Sequence, residues 1–284
     1  KMSAGLTFDG DSSVKVQLIK AASPTTEEDV NATNYTISST SPADGCTFEI
    51  TFLKTFCDTL KVDDKIIIIY SAKLNRNAIV GTSSDNQNKT WLTYGDKNGK
   101  SNEDTTTTKT FEVPVFKYTN KAGTKTGLAG AAFVLSKDAP TGTPATTPTN
   151  TIKFVKTSAT GSVAEDTYRV ADATETATTD KIITESNGKF KIQGLGAGTY
   201  YLYETKQPDG YNKLTAPVTI TVAEDGTFTP VATSTGINRV EIENKTGSLL
   251  PSTGGRGTTI LYVLGALLVL GSSVVLITKR RMKE

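Results

Sequence analysis

The sequence predicts an all-β protein: tandem immunoglobulin-like β-sandwich domains followed by a C-terminal transmembrane helix. Short runs rich in β-branched and aromatic residues are separated by Gly, Asn, Asp, Ser and Thr, at 13–19, 46–52, 65–72, 90–94, 110–118, 131–135, 188–192, 199–204, 218–222 and 240–244. So many short strands, with no long stretch of 3.6-residue period upstream, argue for sandwiches. Residues 257–278 carry no charge and are largely aliphatic from 260 to 277. At about 1.5 Å per residue such a helix reaches roughly 30 Å, the thickness of a bilayer's hydrocarbon core.

Each segment has its own reading. The 284 residues suffice for two domains, each with a core of its own. A Lys/Asn/Asp/Thr-rich stretch, 95–109, reads as a loop between two groups of strands and sets a boundary near residue 110. The proline-bearing segment 138–150 and the Thr-rich segment 172–180 read as surface loops. The expected organisation is therefore 1–110, 111–246 and a tail, 247–284.

Composition removes several function classes. The net charge is +2, from 31 basic and 29 acidic residues, and the basic ones are scattered except at the C-terminus, so no nucleic-acid partner is expected. Histidine is absent altogether. Its absence takes away the commonest general base and the commonest metal ligand, and neither an enzyme site, a metal nor a cofactor is expected. Cys46 and Cys57 are either one local disulfide or two thiols. The chain begins at Lys1 without an initiator Met or signal peptide, which an exported protein needs, so an N-terminally truncated or processed sequence is expected.

The tail orders four features: Leu250-Pro251-Ser252-Thr253-Gly254, a Gly-rich spacer, the apolar span, and the basic cluster Lys279, Arg280, Arg281 and Lys283. Basic residues stay in the cytoplasm, which puts everything before residue 257 outside the cell. A plain membrane anchor leaves the pentapeptide unexplained. The arrangement resembles the sorting signal of LPXTG wall proteins. That resemblance implies that a sortase thiol attacks the Thr253 carbonyl, releases Gly254 onward, and passes Thr253 to an amine of peptidoglycan or of a neighbouring subunit. The membrane would then be a partner of the precursor only.

Three polar residues interrupt apolar strand faces. By the period of two, Phe111, Val113, Val115 and Lys117 share a face, as do Tyr200, Leu202 and Glu204, and Val240, Ile242 and Asn244. Taken singly, each is a strand-end residue reaching solvent. Together they are an amine, an acid and an amide, and a buried charge costs several kcal/mol unless paired, so they are expected to be neighbours. Burial lowers a lysine pKa and raises a glutamate's. A neutral Lys117 amine could attack the Asn244 carboxamide while Glu204 polarises its oxygen and shuttles protons, leaving an amide crosslink and ammonia.

The segment 194–211, GLGAGTYYLYETKQPDGY, closely resembles the E-box of collagen-adhesin B-type (Cna-B) pilin domains; 128–135 (LAGAAFVL) after Lys117, and Glu243-Asn244-Lys245, match as well. The resemblance covers about 111–246. It implies a Lys117–Asn244 isopeptide bond with Glu204 as the catalytic acid. In the first domain, 71–75 (SAKLN), 86–94 (NQNKTWLTY) and 5–8 (GLTF) resemble Cna-A-type pilin domains. There the resemblance implies a crosslink to Asn88 from a lysine, aided by an aspartate, both ahead of residue 1. Lys54, by period on a face with Phe48, Ile50, Phe52 and Phe56, is a rival.

The chain is thus identified by resemblance with Gram-positive sortase-assembled pilins. The expected role is a structural backbone subunit, a sortase substrate rather than an enzyme, with sortase, neighbouring pilin subunits and peptidoglycan as partners. The alternative is an ancillary pilin or wall-anchored adhesin, contacting host surface or matrix ligands through a binding region upstream; a lysine-bearing pilin motif there would favour the first.

Overall fold

Strands dominate the computed structural model, which describes residues 1–247 apart from 41, 43, 82–85, 96–98, 143, 158–164 and 235. The sorting motif at 250–254 and the expected transmembrane helix at 257–278 lie outside the described residues.

Residues 1–110 contribute β1 (Leu6–Phe8), β2 (Lys15–Ile19), β3 (Glu27–Asp29), β4 (Tyr35–Ser38), β5 (Glu49–Phe52), β6 (Lys65–Ile69), β7 (Ala72–Leu74), β8 (Asn86–Thr90), β9 (Thr93–Tyr94), β10 (Gly99–Lys100) and β11 (Asp104–Thr108). They form one three-stranded sheet, β3-β2-β6, and the pairs β1-β7, β4-β5, β8-β11 and β9-β10. Aromatic packing joins them: Phe8 stacks on Phe48 at 4.3 Å, and Tyr70 meets Phe48 edge-on at 4.9 Å.

Two expectations fail in this half. The presumed loop 95–109 contains β10 and β11, and β11 pairs along its length with β8. Thr105–Thr108 is polar, but β-branched, and suits a solvent-facing pleat. Lys54 does not share a strand face with the phenylalanines, because β5 stops at Phe52 and a helical turn, α1 (Lys54–Cys57), follows. The turn breaks the period of two, and the exposed Lys54 amine pairs with Asp58 at 2.7 Å. Cys46 and Cys57 are free thiols. Burial, then Asp44, pushes the Cys46 thiol up to about 11.

Residues 111–244 build a true sandwich from β12 (Phe111–Lys121), β13 (Thr124–Gly127), β14 (Ala132–Ser136), β15 (Phe154–Lys156), β16 (Asp166–Val170), β17 (Ile182–Ile183), β18 (Lys189–Leu195), β19 (Gly198–Lys206), β20 (Val218–Val222), β21 (Phe228–Thr229), β22 (Ala232–Ser234) and β23 (Ile237–Glu243). One sheet runs β15-β16-β18-β12-β23-β22, with β13 on β12, and the other runs β17-β14-β19-β20-β21. Inward residues of both, including Val113, Val115, Phe133, Leu202, Ile220, Val240 and Ile242, form one core. β12 and β23 are adjacent and parallel, with Val115 beside Val240 and Lys117 beside Ile242. This half therefore begins and ends on neighbouring strands.

Lys1–Asp209 and Lys213–Asn244 cluster as one compact unit. Within it the two sets of sheets are stitched near residue 110. Gly81 N–H donates to Thr110 O at 2.9 Å, the Thr110 hydroxyl donates to Leu195 O at 3.2 Å, and Arg76 N–H donates to Asp172 at 3.1 Å. Gly210–Asn212 and residues 245–247 belong to a second unit, in which Asn212 N–H donates to Lys245 O at 3.0 Å.

Candidate functional site

Strand alternation carries three polar side chains into the sandwich core. Lys117 follows Phe111, Val113 and Val115 on the inner face of β12, Glu204 follows Tyr200 and Leu202 on β19, and Asn244 ends the series Val240, Ile242 from β23. Lys117 is 0 % exposed, Glu204 4 % and Asn244 1 %.

They meet. The Lys117 amine donates to Asn244 Oδ1 in close contact, and lies 3.1 Å from Glu204 Oε1. Asn244 Nδ2 donates to the same Glu204 Oε1 at 2.9 Å. Glu204 Oε2 accepts the main-chain N–H of Leu214 at 2.7 Å. Glu204 thus faces the amide nitrogen, whereas the sequence reading had the acid against the oxygen. The Phe133 ring, with its centroid 5.6 Å from the Lys117 amine, forms an apolar wall.

The backbone fixes these positions. Asn244 N–H donates to Tyr118 O at 2.9 Å, extending the parallel ladder past Glu243. Lys117 N–H donates to Gly188 O at 2.7 Å, and Lys117 O accepts Leu128 N–H at 3.0 Å. Gly188 has φ +65, and a Cβ there would lie 2.0 Å from Lys117 O. This φ favours glycine, and only glycine permits the approach.

Electrostatics follow from burial. Desolvation lowers the Lys117 pKa, and the Glu204 carboxylate opposes it without overcoming it. The site therefore favours a neutral amine more than solvent does. Asn88, the candidate partner in the first domain, sits on β8, where its Nδ2 donates to the Tyr70 hydroxyl at 2.6 Å.

Sequence reasoning missed Leu214, Gly188 and Phe133. Leu214 acts through its main chain, which no side-chain pattern reports. Gly188 stands just before β18 as an ordinary turn glycine, and Phe133 as an ordinary core residue.

Known proteins resemble the same region. Residues 115–235 match the SpaA prealbumin-like fold domain, and 242–284 match the LPXTG cell wall anchor motif of Gram-positive bacteria. A fimbrial subunit type 1 of Actinomyces viscosus is 36 % identical over 95 residues, which are 34 % of this chain and 17 % of that protein. The chain thus spans under a fifth of the length of this curated relative. Among solved structures, the group B streptococcus pilus 2b backbone protein aligns over 88 % of this chain and 84 % of its own, at 22 % identity and TM-score 0.52. BcpA, the major pilin subunit of Bacillus cereus, aligns over 87 % and 58 % respectively, at 17 % identity and TM-score 0.50. At these identities the structures attest to the fold.

Fold and anchor define the class: a prealbumin-like β domain on a Gram-positive cell wall anchor. The chain carries a SpaA-type domain followed by an LPXTG motif, and belongs on the outer surface of the wall.

Proposed function

We propose that this chain is a structural subunit of a sortase-polymerised pilus, joined covalently through Thr253 and locked internally by a Lys117–Asn244 isopeptide bond. The single observation that carries the reading is the buried contact of an amine, a carboxyl and a carboxamide across the first and last strands of the sandwich. Three polar groups in a core cost several kcal/mol to desolvate. A reaction that turns an ionisable amine and a primary amide into one secondary amide removes much of that cost.

The steps balance. Lys117 ammonium gives a proton to Glu204, and the neutral Nζ attacks Asn244 Cγ. The Cγ–Nδ2 bond breaks as Nδ2 receives that proton from Glu204. The second Nζ proton, lost as the amide forms, passes through Glu204 to the departing ammonia, which leaves as ammonium, so that Glu204 ends as the carboxylate it began. Proximity supplies most of the rate, since the fold holds the reactants in contact. The product is a single-turnover self-modification. Sortase acts separately, on the Leu250–Gly254 motif, with a neighbouring subunit or peptidoglycan as acceptor.

The test is mass spectrometry of the full chain. Crosslinking removes ammonia, about 17 Da, and yields a branched peptide joining the segments around Lys117 and Asn244. Glu204→Ala and Asn244→Ala are expected to abolish both signals. An unshifted mass in the unsubstituted protein refutes the crosslink. Incubation with a purified sortase is expected to release the segment from Gly254 onward, and Thr253→Ala to block that release.

A further inference from the structure

We infer that the main-chain N–H of Leu214 fixes the rotation of the Glu204 carboxyl so that Oε1 faces both reacting nitrogens, making Leu214 a positioning residue for the crosslinking reaction. The inference rests on the proposed Lys117–Asn244 chemistry. The two carboxyl oxygens have different surroundings. Oε2 is held by the Leu214 N–H at 2.7 Å, whereas Oε1 lies 3.1 Å from the Lys117 amine and 2.9 Å from Asn244 Nδ2. A peptide N–H only donates, so this contact occupies one acceptor direction of Oε2 and holds the carboxyl plane in one orientation.

Oε1 is also the oxygen within reach of both reacting nitrogens. It can take a proton from Lys117 and deliver it to the departing nitrogen of Asn244 without the carboxyl group turning. A free carboxyl could rotate and strand the proton on the wrong side, facing neither nitrogen. The clamp is itself held rigid: the Leu214 side chain packs on the sandwich core, and Val218 soon starts β20, which pairs with β19, the strand bearing Glu204. Asn244 and Lys117 are fixed independently by the Tyr118 and Gly188 main chains. All three reactants are thus oriented by backbone groups.

The decisive experiment replaces one atom. The full chain is made by cell-free translation with the α-hydroxy analogue of leucine at position 214, which keeps the side chain and exchanges N–H for oxygen. Growth of the linked 117–244 peptide is followed over time by digestion and mass spectrometry. Losing a hydrogen bond to the working carboxyl is expected to slow crosslinking roughly ten- to a hundredfold. Leu214→Ala, which retains the N–H, is expected to restore a rate near that of the unsubstituted chain. An ester that crosslinks at full rate, or Leu214→Ala as slow as the ester, overturns the inference. Absence of the linked peptide from the unsubstituted chain instead refutes the crosslinking reading itself. A readout independent of folding yield comes from Asn244→Ala protein, which cannot crosslink. There a scalar coupling across the hydrogen bond between the Leu214 amide nitrogen and the Glu204 carboxyl carbon is expected by NMR, and its absence overturns the inference.

Discussion

Lys117 and Asn244 lie 127 residues apart in sequence, yet they touch across β12 and its parallel neighbour β23. The proposed bond between them would close almost the whole C-terminal sandwich into one loop.

Loop closure sets the first expectation. A covalent link across a loop of this length removes denatured-state entropy worth roughly 5 kcal/mol on the chain-entropy model for disulfides. Asn244→Ala should lower unfolding stability by about that amount, as measured by urea denaturation. Glu204→Ala should cost more still, because besides losing the link it strands a buried amine, a further loss of about 3–5 kcal/mol. Equal stabilities for the unsubstituted and Asn244→Ala proteins would contradict the crosslink.

The same geometry governs mechanical load. A chain pulled from before Phe111 and after Asn244 would load β12 only as far as Lys117, cross the amide bond, and leave at Asn244. The intervening strands drop out of the force path. Single-molecule pulling on Asn244→Ala should release about 430 Å of contour length from this half, the 127-residue separation at roughly 3.4 Å each. The unsubstituted chain should lack that step.

Protonation supplies a third expectation. Burial places the folded pKa of Lys117 below the unfolded value of about 10.4. Between the two values the unfolded chain binds more protons than the folded one, so folding stability rises with pH. Asn244→Ala protein, in which the amine remains free, should gain stability as pH climbs through that window toward about 10.4, and show no such gain below the folded pKa. Lys117→Met combined with Asn244→Ala should remove this slope, which pH-resolved urea titrations would detect.

How much of this was legible in the sequence depends on which rule each residue obeys. Lys117 and Glu204 could be read from the period of two because the long strands β12 and β19 carry them, and Asn244 because it directly follows β23 and continues its face. The 218–222 run coincides with β20 for the same reason. Lys54 misled because its period continued an apolar face across a point where the backbone turns helical. β11 was hidden because an all-threonine stretch lacks the apolar half of an alternating pattern, although its β-branched residues favour a strand. The Leu214 clamp is a main-chain contact delivered by a loop. Such a contact depends on the tertiary path, not on residue type.

Gly188 offers the sharpest test of how the fold sets the reactive lysine. Its carbonyl accepts the Lys117 N–H, and its α-carbon packs so closely that an added methyl would sit 2.0 Å from Lys117 O. Its φ of +65 is also unfavourable for any residue bearing a Cβ. Gly188→Ala must push β18 away from β12 at the position of the amine, with a cost of about 1–3 kcal/mol from backbone strain alone. Crosslinking should slow even under conditions where the protein is fully folded, because displacement of a reactant by about 1 Å can cost a hundredfold in rate. Gly123→Ala provides the comparison: it too has positive φ, at +86, but a methyl there meets nothing within 4 Å. It should carry the strain without the displacement, losing stability while crosslinking at the unsubstituted rate, as time-resolved mass spectrometry would show.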